Sequence, residues 1–336
     1  MKFFTTIIIF CCVCLTAMGQ QRPQFTQYVQ NNYLLNPAVG GIESYTDLRL
    51  GFRSQWVGLE GAPITFYSSI HTSLNKNDRN APSSKSKMHD AGKFRTKANK
   101  NNRFYAQPHH GVGAVAQFDR SGLLTVSSIN ASYAFHLPVA RDMYFSSGFS
   151  AGLVQYRLNR NELDMSTPDD PYLSGDIGNM NKLDLGVGLW FYGRDFYVGA
   201  SGLQLVKSRG DIEVKNSPRA SLQPHFYATA GYRIKVNREL DVIPSVLAKM
   251  GEGGLTTVDV NAKGIYAERL WAGVSYRHKD AASIMAGVHL GYYADVSYSY
   301  DFATSDLNRV SANSHEIVIG FKLNNRNKII CPQWIW

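Results

Sequence analysis

Residues 294–301 read Ala-Asp-Val-Ser-Tyr-Ser-Tyr-Asp, so that apolar or aromatic side chains alternate with acidic or hydroxyl side chains. Successive side chains of a β-strand point to opposite faces, and the alternation therefore predicts a strand with one apolar and one polar face. The same pattern recurs along residues 183–191, 284–291 and 316–323. The sequence thus predicts an all-β protein.

Composition narrows the class of all-β protein. The chain has 336 residues, with 17 Phe, 19 Tyr, 5 Trp and 29 Gly but only 18% charged residues. No repeat of fixed period is present, which excludes a propeller and leaves a large soluble sandwich or an outer-membrane barrel. The apolar faces would pack against a second sheet in the sandwich and would contact lipid in the barrel. Aromatic residues that bracket short turns, as in Trp190-Phe-Tyr192 ahead of Phe196-Tyr197, favour the barrel.

Fourteen alternating runs can be delimited, an even number, as a closed antiparallel bacterial barrel requires. Connections after odd-numbered strands include the long ones, whereas most others are tight turns, so we expect the chain to start in the periplasm. Fourteen strands enclose more space than side chains can fill, and the lumen therefore needs water or a plug. The predicted strands are residues 47–55, 64–74, 111–119, 123–137, 143–158, 182–192, 195–205, 224–236, 240–250, 256–266, 269–276, 283–292, 294–302 and 316–323.

The N-terminus has the features of a signal peptide over residues 1–19. Lys2 precedes an apolar run, and small residues stand before the expected cleavage site after Gly19. Three of the four cysteines would leave with this leader, so Cys331 is expected to be the only thiol of the mature chain. Past the leader, no window of about twenty apolar residues could cross a bilayer as a helix.

Residues 20–46 form a polar and aromatic segment ahead of the first predicted strand. Phe25, Tyr28 and Val29 fall on one face of a short amphipathic helical turn, which the pair Asn36-Pro37 is expected to end. The segment is too polar to enter lipid and too apolar to extend freely into water. We therefore expect residues 24–36 to lie at or inside the periplasmic mouth of the barrel as a partial plug.

Five short motifs connect this segment with the strands that follow. They are Gln27-Tyr28, Asn36-Pro37-Ala38, Gly41, Arg53-Ser-Gln55-Trp56 and Gly61-Ala-Pro63. In this order and spacing they resemble the opening of the PorP/SprF family, outer-membrane proteins of the type IX secretion system, which also powers gliding motility in some bacteria. The resemblance implies contact with periplasmic ring components and a peptidoglycan-linked lipoprotein, or export and surface attachment of adhesins that bear a type IX C-terminal signal.

Two further segments are candidates for partner contacts. Residues 75–110 hold nine basic residues against two aspartates, a net charge of +7 out of the formal +9 of the chain. Strand parity places this loop in the periplasm, where it would suit an acidic partner or simply be solvated. Residues 324–336 form a basic and aromatic periplasmic tail, in which Trp334 and Trp336 could anchor in an apolar groove of a partner or lie in interfacial lipid.

Several motifs that could carry chemistry have a plainer explanation. The run Gly148-Phe-Ser-Ala-Gly152 fits a nucleophile elbow, but it lies inside an alternating strand with no helix after it. His109 and His110 point to opposite faces of a strand and do not make a metal site. The acidic residues between Asp164 and Asp176 could bind calcium, but they lack regular ligand spacing, and a solvated acidic loop is the favoured explanation.

The sequence therefore predicts an outer-membrane barrel over residues 47–323 that is not an enzyme and uses no cofactor or metal. Expected partners are outer-membrane lipid and either periplasmic secretion components or a secreted adhesin, with no nucleic acid. The alternatives are a passive or substrate-specific channel and a lipid-modifying enzyme. Arg49 and Arg53 are expected to project into the lumen, where Arg53 could pair with an acid or bind the N-terminal segment. The residues expected to carry family-specific or partner contacts are Gln27, Tyr28, Asn36, Pro37, Arg49, Arg53, Gln55, Trp56, Pro63, Trp334 and Trp336.

Overall fold

Antiparallel strands form one closed barrel, in which the first strand pairs with the last. The structure, a computed structural model, describes residues 23–74, 108–140, 142–158, 179–206, 224–251, 254–278, 280–304 and 313–333. Strand β1 (Thr46–Ser54) pairs with β15 (Ser314–Leu323) along its whole length, which closes the sheet. Closure satisfies the backbone hydrogen bonds that a sheet edge would expose to lipid.

Fifteen strand segments occupy fourteen positions in the barrel. Two of them, β8 (His225–Tyr232) and β9 (Ile234–Lys235), are parts of one strand, because both pair with β10 (Leu240–Gly251). The prediction of a fourteen-stranded outer-membrane barrel is confirmed. The other strands are β2 (Ile64–Leu74), β3 (His109–Ser121), β4 (Leu124–Ala140), β5 (Met143–Leu158), β6 (Asn179–Gly193), β7 (Phe196–Leu203), β11 (Gly254–Tyr266), β12 (Leu270–Arg277), β13 (Ala281–Leu290) and β14 (Ala294–Ala303).

The alternation seen in the sequence separates an outer face from the lumen. On β6, Leu189 points outward and is 50% exposed, whereas its neighbour Trp190 is fully buried in the lumen. On β14, Asp295 and Asp301 are buried inside and Tyr298 is exposed outside. The outer face thus presents the apolar belt that lipid requires, and charged side chains are gathered inside the barrel.

The two ends of the barrel differ in their connections. We call the end where β1 begins and β15 finishes the turn end, because tight turns at residues 194–195, 267–269 and 291–293 lie there. We call the opposite end the loop end, because the long connections after β5, β7 and β14 leave the barrel there. The β2–β3 connection is a long exception at the turn end, and most of it, residues 75–107, lies outside the described part of the chain.

Helical structure in the described residues is limited to three single 3₁₀ turns, Gln27–Val29, Asn32–Leu34 and Pro37–Val39. No helix in the described ranges has both the length and the apolar character needed to cross a membrane, a statement that does not concern β-barrels. All three turns precede β1 and lie inside the barrel, where they occupy the lumen.

Candidate functional site in the barrel lumen

Residues 25–43 are buried without interruption inside the barrel, and we call this segment the plug. The expected amphipathic helical turn is replaced by 3₁₀ turns that are buried on all sides, because the barrel wall surrounds the segment. Asn36 takes the extended conformation that a following proline favours, and its side-chain oxygen accepts a hydrogen bond from the Ala38 amide (2.9 Å). Gly41 then redirects the chain at a positive φ of 75°.

A buried ionic cluster binds the N-terminal part of the plug. Arg53 on β1 donates to Asp301 (2.6 Å) and to Glu316 (3.1 Å), whose side chains are at most 3% exposed. The Thr26 amide donates to Glu316 (2.8 Å), and the Thr26 hydroxyl donates to Asp301 (2.7 Å) and accepts from Arg53 (3.1 Å). Both roles considered for Arg53 therefore occur together, since it pairs with acids and binds the N-terminal segment. Glu316 and Asp301 were not singled out by the sequence.

The two side chains that follow Thr26 in the plug are matched individually by the wall. The Gln27 amide group donates to the Glu316 backbone carbonyl (2.9 Å), and its oxygen accepts from Ser297. The Tyr28 hydroxyl accepts from the Asn261 amide (2.6 Å). These bonds join the plug to β11, β14 and β15, so the family-motif residues Gln27 and Tyr28 serve to seat the plug.

Towards the turn end, the wall satisfies the backbone of the plug. The Asn36 side-chain amide donates to the backbone carbonyls of Leu189 (3.0 Å) and Ala200 (3.1 Å) on the wall. His136 Nε2 donates to the Gly40 carbonyl (2.8 Å), and a serine hydroxyl on β5 donates to the Ala38 carbonyl (2.7 Å). Buried backbone polar groups need such partners, and the polar lumen face supplies them. Pro37 is buried in the same region, at the start of the third 3₁₀ turn.

Glycines of the wall make room for the backbone of the plug. A Cβ atom at Gly111 would lie 1.9 Å from the Gly40 carbonyl oxygen, and one at Gly148 would lie 2.3 Å from the Ala38 amide nitrogen. Gly188 likewise faces Asn36, since a Cβ atom at Gly188 would lie 1.9 Å from the Asn36 side-chain oxygen. The glycine motif that resembles a nucleophile elbow is therefore a surface against which the plug packs.

Replacing Gly111 with alanine is expected to displace the plug and destabilise the barrel by roughly 1–3 kcal/mol, because the neighbouring atoms are rigid backbone. The matched control is Gly264→Ala on β11, where the nearest atom to an added Cβ is 3.9 Å away. The free energy of unfolding in urea, measured for both variants in detergent micelles, checks this. Equal stabilities of the two variants would contradict a close approach of Gly40 to the wall.

A second ionic cluster lies near the turn end. Arg49 pairs with Asp47 (3.0 Å) and Asp295 (3.6 Å), and Lys322 lies 3.8 Å from Asp295. The side chains of all four residues are at most 8% exposed. The structure therefore places Arg49 in the lumen as the sequence predicted, and in a different cluster from Arg53.

The plug runs along the lumen and does not rest at one mouth. Its first anchors, Arg53, Asp301 and Glu316, lie one or two residues from the loop-end termini of their strands. Its last residues lead directly into β1 at the turn end. The N-terminal end of the plug therefore reaches the loop end, whereas the sequence placed the segment at or inside the periplasmic mouth. The direction of threading has no signature in the sequence.

The remaining candidate residues lie away from the plug. The Gln55 amide donates to the Pro63 carbonyl (2.9 Å), and Trp56, at a positive φ of 53°, donates its amide to the Ser314 hydroxyl (3.1 Å). These contacts shape the β1–β2 loop at the loop end. Trp334, Trp336 and residues 159–178, which include the acidic loop, lie outside the described residues.

The two adjacent histidines separate as the strand geometry requires. His109 is buried in the lumen and stacks on His136 with ring centroids 4.4 Å apart, whereas His110 contacts Tyr133 on the outer face. Among the described residues, no group of three or more His, Cys, Asp or Glu side chains could hold a metal ion.

The plug borders small cavities in the described part of the chain. Two cavities that border it have volumes of about 10 and 30 Å³. Room for one water molecule begins at about 10–15 Å³. These two cavities have room for isolated water molecules only.

Comparison with known proteins gives the following similarities. The toluene transporter TbuX of Ralstonia pickettii is 12% identical, with a TM-score of 0.49 over 86% of this chain and 92% of that one. The monoaromatic hydrocarbon channel CymD is 14% identical, with a TM-score of 0.48 over 92% and 96%. The β domain of the Bordetella autotransporter BrkA is 12% identical, with a TM-score of 0.36 over 84% and 99%. No curated protein matches the sequence.

A protein-family model covers most of the chain. The model for the type IX secretion system membrane protein PorP/SprF matches residues 17–321, which include the plug, nearly all of the barrel and the motifs around Asn36 and Arg53. The chain belongs to the PorP/SprF family of type IX secretion system membrane proteins.

Proposed function

We propose that this outer-membrane component of type IX secretion works as a closed, non-enzymatic scaffold that links the outer membrane to periplasmic components of the machinery. The observation that carries the proposal is the occupied lumen: residues 25–43 are buried throughout and bonded to the wall from Arg53 to His136. A barrel closed in this way can bind partners through its outer surfaces but does not provide a pore.

The proposed contact surface is the turn end of the barrel. Short turns of bacterial barrels face the periplasm and long loops face outward, which assigns the turn end to the periplasm. The C-terminal tail leaves the last strand at this end, and the basic connection after β2 belongs to it as well. Ring components and a peptidoglycan-linked lipoprotein are the partners that the family resemblance implies for such a surface.

The absence of an enzymatic role is part of the proposal. Ser150, the central residue of the elbow-like motif, lies in the middle of β5 and not at a strand-to-helix turn. Its strand packs against the plug through Gly148. Support of adhesin export or attachment is a finer role compatible with the same scaffold, and the rival function, a passive or substrate-specific channel, requires a lumen that is open.

Removing residues 334–336 is expected to abolish co-purification of periplasmic secretion components with the detergent-extracted barrel, because two tryptophans at a chain end supply an apolar anchor.

Changing the five lysines between residues 85 and 100 to glutamine should weaken recovery at low salt, since steering by charge is screened by salt. Mass spectrometry of the co-purified proteins, with heat-dependent gel migration to verify folding, measures both effects.

Tyr293→Ala is the matched control for the truncation, because Tyr293 is an aromatic side chain at the same end that is 74% exposed. This variant should keep wild-type recovery. Full recovery by both the truncated and the lysine variants would contradict the scaffold function at the turn end.

A further inference from the structure

The C-terminal tail folds back over the turn end instead of leaving it directly. Asn324 and Lys328 adopt positive φ angles of 56° and 52°, a conformation that residues other than glycine adopt at a cost. The Asn325 side chain donates to the carbonyls of Tyr292 (2.9 Å) and Ile329 (2.8 Å) and accepts from the Ile329 amide (3.0 Å). These contacts turn the chain back towards the lumen.

The returning residues are buried in the mouth of the barrel. Ile329, Ile330 and Cys331 are 1%, 6% and 8% exposed, and Cys331 belongs to the same apolar cluster as residues of the plug. The Lys322 ammonium group donates to the Ile330 carbonyl from inside the barrel. Burial raises the pKa of the Cys331 thiol, which is therefore held in its neutral form. The sequence predicted a basic and aromatic periplasmic tail, and the structure packs residues 329–331 of this tail into the mouth of the barrel.

The tail also contacts the end of the plug directly. The Gln333 amide donates to the Glu43 carboxylate (2.9 Å), and the Asn327 side chain donates to the Ser44 hydroxyl (3.3 Å). Pro332 lines the smaller cavity beside the plug together with Asn31 and other plug residues. Lifting the tail would remove these contacts and uncover the turn-end side of the plug.

We propose that residues 324–333 are a latch that covers the turn-end side of the plug, and that a partner which binds the C-terminal end uncovers this side by lifting the latch. The second half rests on the proposed scaffold function and names its regulation. The latch suits release because its two left-handed residues, Asn324 and Lys328, relax when the tail leaves. The plug itself is fastened elsewhere by Arg53, Asn36 and His136, so the latch controls its turn-end side.

The latch is tested by the reactivity of a thiol placed in the plug. Val39→Cys, at a fully buried plug residue, is introduced into the full-length reference with Cys331 kept, and labelling of residue 39 by a water-soluble maleimide is followed by peptide mass spectrometry, which separates it from labelling of Cys331. Truncation after Lys328 should accelerate labelling at least about tenfold, because two buried isoleucines that cover the mouth are removed. Truncation after Gln333 leaves the latch in place and should label at the reference rate.

A full-length variant with Ile329→Ala and Ile330→Ala repeats the test without shortening the chain, and heat-dependent gel migration shows that each barrel is folded. Unchanged labelling in both the protein truncated after Lys328 and the double-alanine protein would overturn the latch. Addition of a periplasmic fraction should accelerate labelling of the full-length reference but not of the protein truncated after Gln333. Binding of periplasmic proteins without acceleration would overturn the latch and leave the scaffold function standing. Acceleration on truncation after Lys328, together with no binding of periplasmic proteins, would support the latch and overturn the scaffold function.

Discussion

Deletion of residues 24–36 is expected to convert a barrel that conducts almost no ions into one that conducts steadily, with a rise in conductance of at least about tenfold, because fourteen strands enclose more space than their side chains fill. The deleted residues provide the anchors at Thr26, Gln27, Tyr28 and Asn36. Planar-bilayer recordings of the purified protein measure the change.

Deletion of residues 85–97 is the matched control, because it removes the same length of chain from the β2–β3 connection and leaves the described strands and the plug unchanged. That variant should remain closed. A wild-type barrel that already conducts strongly, with no further rise on deletion of residues 24–36, would show that the segment does not close the lumen and would favour the channel function.

Arg53→Ala is expected to destabilise the folded barrel by about 3–5 kcal/mol, since removing one partner of a buried ion pair leaves uncompensated charge behind. The charges left are those of Asp301 and Glu316, whose side chains are 3% and 0% exposed. Thr26 also loses a donor to its hydroxyl, so the N-terminal part of the plug is loosened as well. Urea unfolding in micelles gives the free energy, and conductance reports on the plug.

Arg194→Ala is the matched control, because Arg194, between β6 and β7, pairs at 3.3 Å with Asp142, between β4 and β5, and the two side chains are 47% and 30% exposed. An exposed pair contributes about 0–1 kcal/mol, and little change is expected. If Arg53→Ala unfolds at the same urea concentration as Arg194→Ala, the buried cluster does not stabilise the protein as described.

The sequence predicted the architecture well because alternation with a period of two assigns each side chain to a face. Residues 294–301 were assigned correctly in this way, with Asp295 and Asp301 inside and Tyr298 outside. Strand ends moved by a few residues, as at β3, which begins at His109 and not at Gly111. The strand predicted over residues 224–236 is interrupted at Arg233.

Contacts across the closed barrel could not be predicted from alternation. The Arg53–Glu316 pair joins residues 263 positions apart, and their meeting depends on the register between the first and last strands. Alternation fixes a face but not a register, so the sequence indicated a lumenal arginine without naming its acids.

The plug and the tail show the same limit in segments without periodicity. The sequence indicated a plug from its polar and aromatic composition, but neither its 3₁₀ turns nor its threading to the loop end has a repeating signature. Ile329 and Ile330 form a short apolar pair in a polar tail, and only the mouth formed by distant strands explains their burial. Enclosure by the barrel, and not the local sequence pattern, therefore determines the conformation and burial of these segments.

The most direct test of the occupied lumen is a cross-link between the plug and the wall in native outer membranes. The Asn31 side chain donates to the Ser69 hydroxyl on β2 (2.7 Å), so cysteines at both positions can be joined by a short bifunctional thiol reagent. With Cys331 changed to serine, Asn31→Cys and Ser69→Cys should give one intramolecular product, identified by mass spectrometry, in the heat-sensitive folded form. Absence of this product from membranes that contain the folded barrel, while each single cysteine is freely labelled by a water-soluble maleimide, would contradict a plug in the lumen.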